Sequence, residues 1–93
     1  NITPLAIAQL QPVRTWGSLL ERSLWHAEKL ARAEAESAGR LRIIRTPADL
    51  RALLLDRARG QKVTGALLSV EGAQNLEGRL SNLDRLHAAG FRM

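Results

Sequence analysis

The sequence predicts an α/β domain with parallel strands. Helix-spaced apolar stretches alternate with short runs that are β-branched or apolar on both faces, in the order helix, strand, helix, strand, helix, strand. Gly39, Pro47, Gly60 and Gly90 punctuate that order, and the connections are short, without repeats or low-complexity tracts. Alternation of this kind implies parallel strands joined by right-handed helical crossovers rather than a helical bundle.

Residues 1–14 carry two prolines and no clean period, and read as a loop. From Thr15 the pattern changes. Trp16, Leu19, Leu20, Leu24, Ala27, Leu30 and Ala31 recur at steps of three and four, which places them on one face of a helix over residues 15–38. Thr15 is its expected N-cap, Glu21, Glu28, Glu34 and Glu36 occupy the opposite face among basic residues, and Gly39 stops it. Residues 41–44, Leu-Arg-Ile-Ile, are too few for a helix and read as a strand.

Thr46-Pro47-Ala48-Asp49 then supplies an N-cap, a proline at the first helical position and an acid at the third. The resulting helix, residues 47–59, is expected to turn Leu50, Leu53, Leu54 and Ala58 inward before Gly60 ends it. Residues 63–70 are apolar on both alternating faces except for Thr64 and Ser69, the pattern of a strand covered on both sides. A last helix spans residues 81–89, and Phe91-Arg92-Met93 begins another strand. The first residue is Asn1 and the last step breaks off in a strand, so residues 1–93 read as a single internal fragment of a larger domain.

Composition narrows the function classes. The 93 residues are 45% apolar and 25% charged, ordinary for a globular chain and unlike a disordered or collagenous one. No apolar run approaches the roughly 18 residues of a membrane span, and no secretory signal pattern is present; both cytoplasmic and exported settings stay open. The chain has no cysteine, which removes disulfides, thiol nucleophiles and thiolate metal sites. Aromatics are limited to Trp16, Trp25 and Phe91, so burial rests on aliphatic side chains. Fourteen basic residues, twelve of them Arg, face nine acidic ones, for a net charge of +5.

In parallel sheets reactive groups stand at the carboxyl ends of strands. Glu71 is the first residue past the most apolar strand, and Gly72 after it permits a sharp turn. By position alone it is a solvated loop acid or a site acid. His26 and His87, the two histidines, lie within amphipathic helices away from the strand ends and read as helix-surface residues. Trp16 and Trp25 read as packing residues.

The run Gly65-Ala66-Leu67-Leu68-Ser69-Val70-Glu71-Gly72-Ala73-Gln74, continued by Leu76, Leu80, Leu83, Leu86 and Gly90-Phe91-Arg92-Met93, resembles the membrane dipeptidase (renal dipeptidase) family of zinc metallopeptidases. The stretch from Leu41 to Leu50 is similar to that family's preceding strand and helix entry, so the resemblance covers residues 41–93. It implies part of a (β/α)₈ TIM barrel of metal-dependent hydrolase type, with two to three βα units present. It further implies hydrolysis of dipeptides at a site holding two Zn²⁺ ions, with Glu71 matching the carboxylate that bridges them. A carboxylate has two oxygens and can give one to each of two cations about 3.5–4 Å apart. The family commonly has His three residues beyond that glutamate, where this chain has Gln74; that His is not among the metal ligands.

The family's other ligands, a His-x-Asp pair and two later histidines, have no counterpart here. The 93 residues alone are therefore expected to be inactive, with no catalytic residue assigned and the substrate-contacting residues undefined. The partners the resemblance implies are a dipeptide substrate and, for the parent protein, a homodimer mate. Two other classes compete: a noncatalytic helical interaction domain, and a basic nucleic-acid-binding module built on Arg40, Arg42, Arg45, Arg51, Arg57 and Arg59. Against the second stand the interspersed acids, the scarcity of stacking aromatics and the lack of any DNA-binding motif, so nucleic acid is not expected as a partner.

Overall fold

The computed structural model describes residue 4, residues 8–70 and residues 73–93. It is an α/β arrangement: helix α1 (Leu19–Glu36), strand β1 (Leu41–Ile43), helix α2 (Pro47–Ala58), strand β2 (Thr64–Ala66) and helix α3 (Ser81–Ala89), with 3₁₀ turns at Val13–Thr15 and Ala73–Leu76. The strands are parallel, with Leu41 opposite Thr64 and Ile43 opposite Ala66. Beyond β2, Leu68 makes an isolated parallel bridge to Phe91, the first residue of the expected last strand.

Helix α2 packs directly on this small sheet. Gly65 shares a face with its partner Arg42, and a Cβ there would stand 2.5 Å from a methyl of Leu53. The missing side chain is what lets α2 settle on that face. The core lies beside it, where Leu20 and Ala27 of α1 pack with Leu86 of α3 and with Phe91, and Leu24, Leu68, Val70 and Leu76 close around them.

The outer edge of β1 shows what takes the place of a neighbouring strand. Its outward N–H groups donate to side chains: Leu41 to Ser37 Oγ at 3.0 Å, Ile43 to Glu34 Oε2 at 2.6 Å, and Arg45, just beyond, to Asp49 Oδ2 at 3.0 Å. Glu34, expected on a solvated face, instead fastens α1 to β1, because an edge N–H removed from water needs an acceptor.

The first helix begins later than its apolar period suggests. Thr15 does not cap it; the Thr15 hydroxyl donates to the Pro12 carbonyl at 2.7 Å inside the 3₁₀ turn, and Trp16 stands outside the helix. Ser18 is the cap, its Oγ accepting from the Glu21 N–H at 3.1 Å. The helix stops at Glu36, where the Ser37 hydroxyl donates to the Glu34 carbonyl and Gly39 follows at φ +82°. Ahead of it the expected loop of residues 1–14 carries helical backbone at Pro4 and Ala8 and the start of the 3₁₀ turn.

Further along, β1 ends one residue early. The expected strand over 63–70 is reduced to three residues plus the Leu68 bridge, since β1 ends at Ile43 and the later residues meet only the stretch from Phe91 to Met93. It is also not covered on both sides: Thr64 is exposed and Leu67 is 49% exposed. In α2 the inward stripe narrows to Leu53, with Leu50 46% and Leu54 57% exposed and Ala58 exposed as well, because the sheet beneath is only two strands wide.

The start of α2 matches expectation in detail. Thr46 Oγ1 accepts from the Asp49 N–H at 3.1 Å while Asp49 Oδ2 accepts from the Thr46 N–H at 3.1 Å, a reciprocal capping box with Pro47 inside it. Thr46→Ala is expected to cost about 1 kcal/mol, visible as a lowered urea midpoint with unchanged slope.

Candidate metal-bridging site

The stretch that ends at Val70 runs beside the chain's last residues. Leu68 O accepts from the Arg92 N–H at 3.0 Å and the Val70 N–H donates to Met93 O at 3.0 Å, so two successive parallel segments finish side by side. Glu71, the expected metal ligand, follows directly, but Glu71 and Gly72 lie outside the described residues.

What comes after Glu71 is tied to the first turn of α1. Asn75 Nδ2 donates to the Leu19 carbonyl at 3.3 Å and to the Ser23 hydroxyl. Glu77 Oε1 accepts from the Ser18 hydroxyl at 2.6 Å and from the Leu20 N–H at 3.4 Å, placing a carboxylate at the positive end of α1. Buried Asn82 donates to the Leu76 carbonyl at 2.8 Å. The contacts of Asn75 and Glu77 join residues more than fifty positions apart, and no sequence pattern announces them. Gln74 is exposed.

Between α3 and the last residues lies a mostly apolar hollow of about 380 Å³, whose lining includes Val70, Leu86, Phe91 and Met93 together with Asp84 and His87. His87, expected away from the strand ends, instead borders the hollow into which Val70 opens. His26 is exposed on α1, as a helix-surface residue, its ring 5.0 Å from that of Trp25, over which Lys29 Nζ sits at 4.7 Å. Trp16 is half-buried and donates its indole N–H to Gln11 O at 2.9 Å, in line with a packing role.

Arg22, only 7% exposed, is a structural residue that the sequence reading misses. Its guanidinium donates to the carbonyls of Thr15 and Trp16, both at 2.9 Å, and so pins the 3₁₀ turn to α1. A carbonyl-capping arginine has no distinguishing mark in a sequence rich in Arg.

Two carboxyls are displaced from their ordinary range. Hydrogen bonds from the backbone N–H groups of Arg45 and Thr46 hold Asp49 low, outweighing some desolvation. For Glu21 partial burial pushes upward, but contacts with Arg14 at 2.8 Å and Arg85 at 3.1 Å together overcome it and leave the carboxyl low. Both are therefore deprotonated more readily folded than unfolded. The stability they contribute is complete above the ordinary carboxylate range and is lost as pH falls through their depressed folded values. Urea midpoints measured from pH 7 down to pH 2 should decline most steeply below about pH 4, and less steeply in Asp49→Asn.

Among the described residues no group of three or more His, Cys, Asp or Glu side chains converges in a way that could hold a metal ion. No helix among them is long and apolar enough to cross a membrane. No family model matches the chain, and no curated protein and no solved structure matches it.

Proposed function

We propose that these 93 residues are part of a metal-dependent dipeptidase resembling the membrane dipeptidase family, in which Glu71 is the carboxylate shared by two zinc ions. The observation that carries this reading is the pairing of Val70 with Met93. It joins two parallel segments immediately before Glu71 in the sequence, and α/β enzymes gather reactive groups at the carboxyl ends of such segments. The order of motifs around it, Val-Glu-Gly, then α3, then Gly-Phe-Arg-Met, is the order the resemblance rests on.

The described residues do not themselves fit a two-metal site. His26 and His87 meet no partner ligands, and one carboxylate cannot retain two cations. In this reading the other ligands come from outside residues 1–93, and the chain's own contribution is the bridging carboxylate and its mounting. The architecture in the intact parent would be the (β/α)₈ barrel. There a strand on the outer edge of β1 would replace the contacts from Ser37, Glu34 and Asp49.

The test is direct. The intact protein should bind two zinc ions, hydrolyse unblocked dipeptides, lose that activity to a chelator and regain it with zinc. An intact protein that binds no zinc and cleaves no dipeptide ends this reading. The exposed Leu50, Leu54 and Leu67 favour the second reading, a noncatalytic interaction domain, which would then stand.

A further inference from the structure

The net charge of the protein is concentrated in one segment. Between residues 40 and 62 stand six arginines and Lys62 against Asp49 and Asp56, a surplus of +5 equal to that of the whole chain. Elsewhere seven basic and seven acidic residues cancel. Both acids of the segment are already engaged: Asp49 caps α2, and Asp56 Oδ2 accepts from Arg42 Nη1 at 2.5 Å.

The structure gathers part of this surplus at the amino ends of the strands. A groove of about 510 Å³ there is lined by Arg40, Arg42, Gln61 and Lys62 around buried Val63. A second hollow of about 370 Å³ shares Gln61, Lys62 and Val63 and extends to Arg57. Arg59 is exposed just beyond the end of α2. Arg40, Arg57, Arg59 and Lys62 form no ion pair among the described residues.

Basic residues commonly gather where helices end, to offset the negative end of the helix dipole. Magnitudes show that this does not absorb the cluster. α1 and α2 both end at this groove, and two helix C-termini amount to about one negative charge. Glu36, in the last turn of α1, adds one more. Four cations exceed that by about two.

We infer that this groove binds a diphosphate-class anion. The surplus of the groove and the adjoining Arg57 and Arg59 offsets most of the roughly two to three negative charges of a diphosphate near neutral pH, the groove's volume lies in the range of small-molecule sites, and arginine forks suit phosphate oxygens. No aromatic side chain occurs between residues 40 and 62, so nothing stacks on a base and the phosphates alone are held. The site is independent of the proposed dipeptidase centre, which that proposal assigns to the opposite, carboxyl ends of the strands.

Calorimetric titration of the protein with inorganic pyrophosphate tests the site. Saturable one-to-one binding is expected. The double variant Arg40→Gln with Lys62→Gln should weaken it by about tenfold or more, as two charge-assisted contacts are lost. The charge-matched pair Arg32→Gln with Arg79→Gln, away from the groove, should change it by less than about twofold. If the groove variant fails to fold, Arg57→Gln alone should weaken binding, and an unchanged affinity there counts against the site. The inference is overturned by absence of saturable binding, by equal loss in both double variants, by malonate binding as tightly as pyrophosphate, or by ADP binding more than about tenfold tighter.

Discussion

In the intact protein, Glu71→Gln should lower kcat/KM for dipeptide hydrolysis by about three orders of magnitude or more, and reduce bound zinc below two per chain. The substitution keeps size and shape but removes the negative charge, and it exchanges one of two ligating oxygens for an NH₂ group that cannot bind a cation. Metal-dependent stabilisation of several kcal/mol is at stake, and each 1.36 kcal/mol is tenfold in rate. Glu77→Gln is the matched control. The amide oxygen it introduces can still accept from Ser18 and Leu20, so zinc content and turnover should hold. Full activity with two zinc ions in Glu71→Gln would remove Glu71 from the site.

Leu86→Ala should be the most damaging single truncation to stability. Leu86 is 3% exposed and packs with Leu20, Ala27 and Phe91, so it joins α3 to α1 and to the last strand residues. A helix of nine residues does not hold alone in water, and its order depends on this contact. A buried Leu→Ala change costs about 2–5 kcal/mol, a large part of the roughly 5–15 kcal/mol available to a domain. At about 4–8 °C per kcal/mol for this size, the melting temperature should fall by at least about 8 °C. Leu54→Ala, at a position 57% exposed, should move it by a few degrees at most. Equal effects would mean that the core lies elsewhere.

What the sequence makes legible is whatever is decided locally. The capping box at Thr46, the span of α3 and the left-handed Gly90 at φ +111° depend on neighbours within a turn or two, and the first two stand as read, with Gly90 ending α3 as its position implies. The start of α1 departs from its sequence pattern for a related reason. Trp16 continues the apolar period of the helix, but the bonds from Thr15 to Pro12 and from Glu21 to Ser18 close the preceding turn first. Burial is the least readable property. The period of α2 identifies Leu50, Leu53 and Leu54 as apolar, yet only the width of the sheet beneath decides which of them is covered. Of the candidate site, the Glu71 motif can be read from residue order, whereas the attachments of Asn75 and Glu77 to α1 cannot, because they depend on residues brought together by the fold.

The side chains along the outer margin of β1 carry a consequence for how copies of the protein meet in concentrated solution. A bare margin would offer main-chain donors to any extended segment and so template stacking into fibrils. Here Ser37, Glu34 and Asp49 occupy those donors already, so an arriving segment must evict three local acceptors, one of them a carboxylate bonded at 2.6 Å, before gaining any bond of its own.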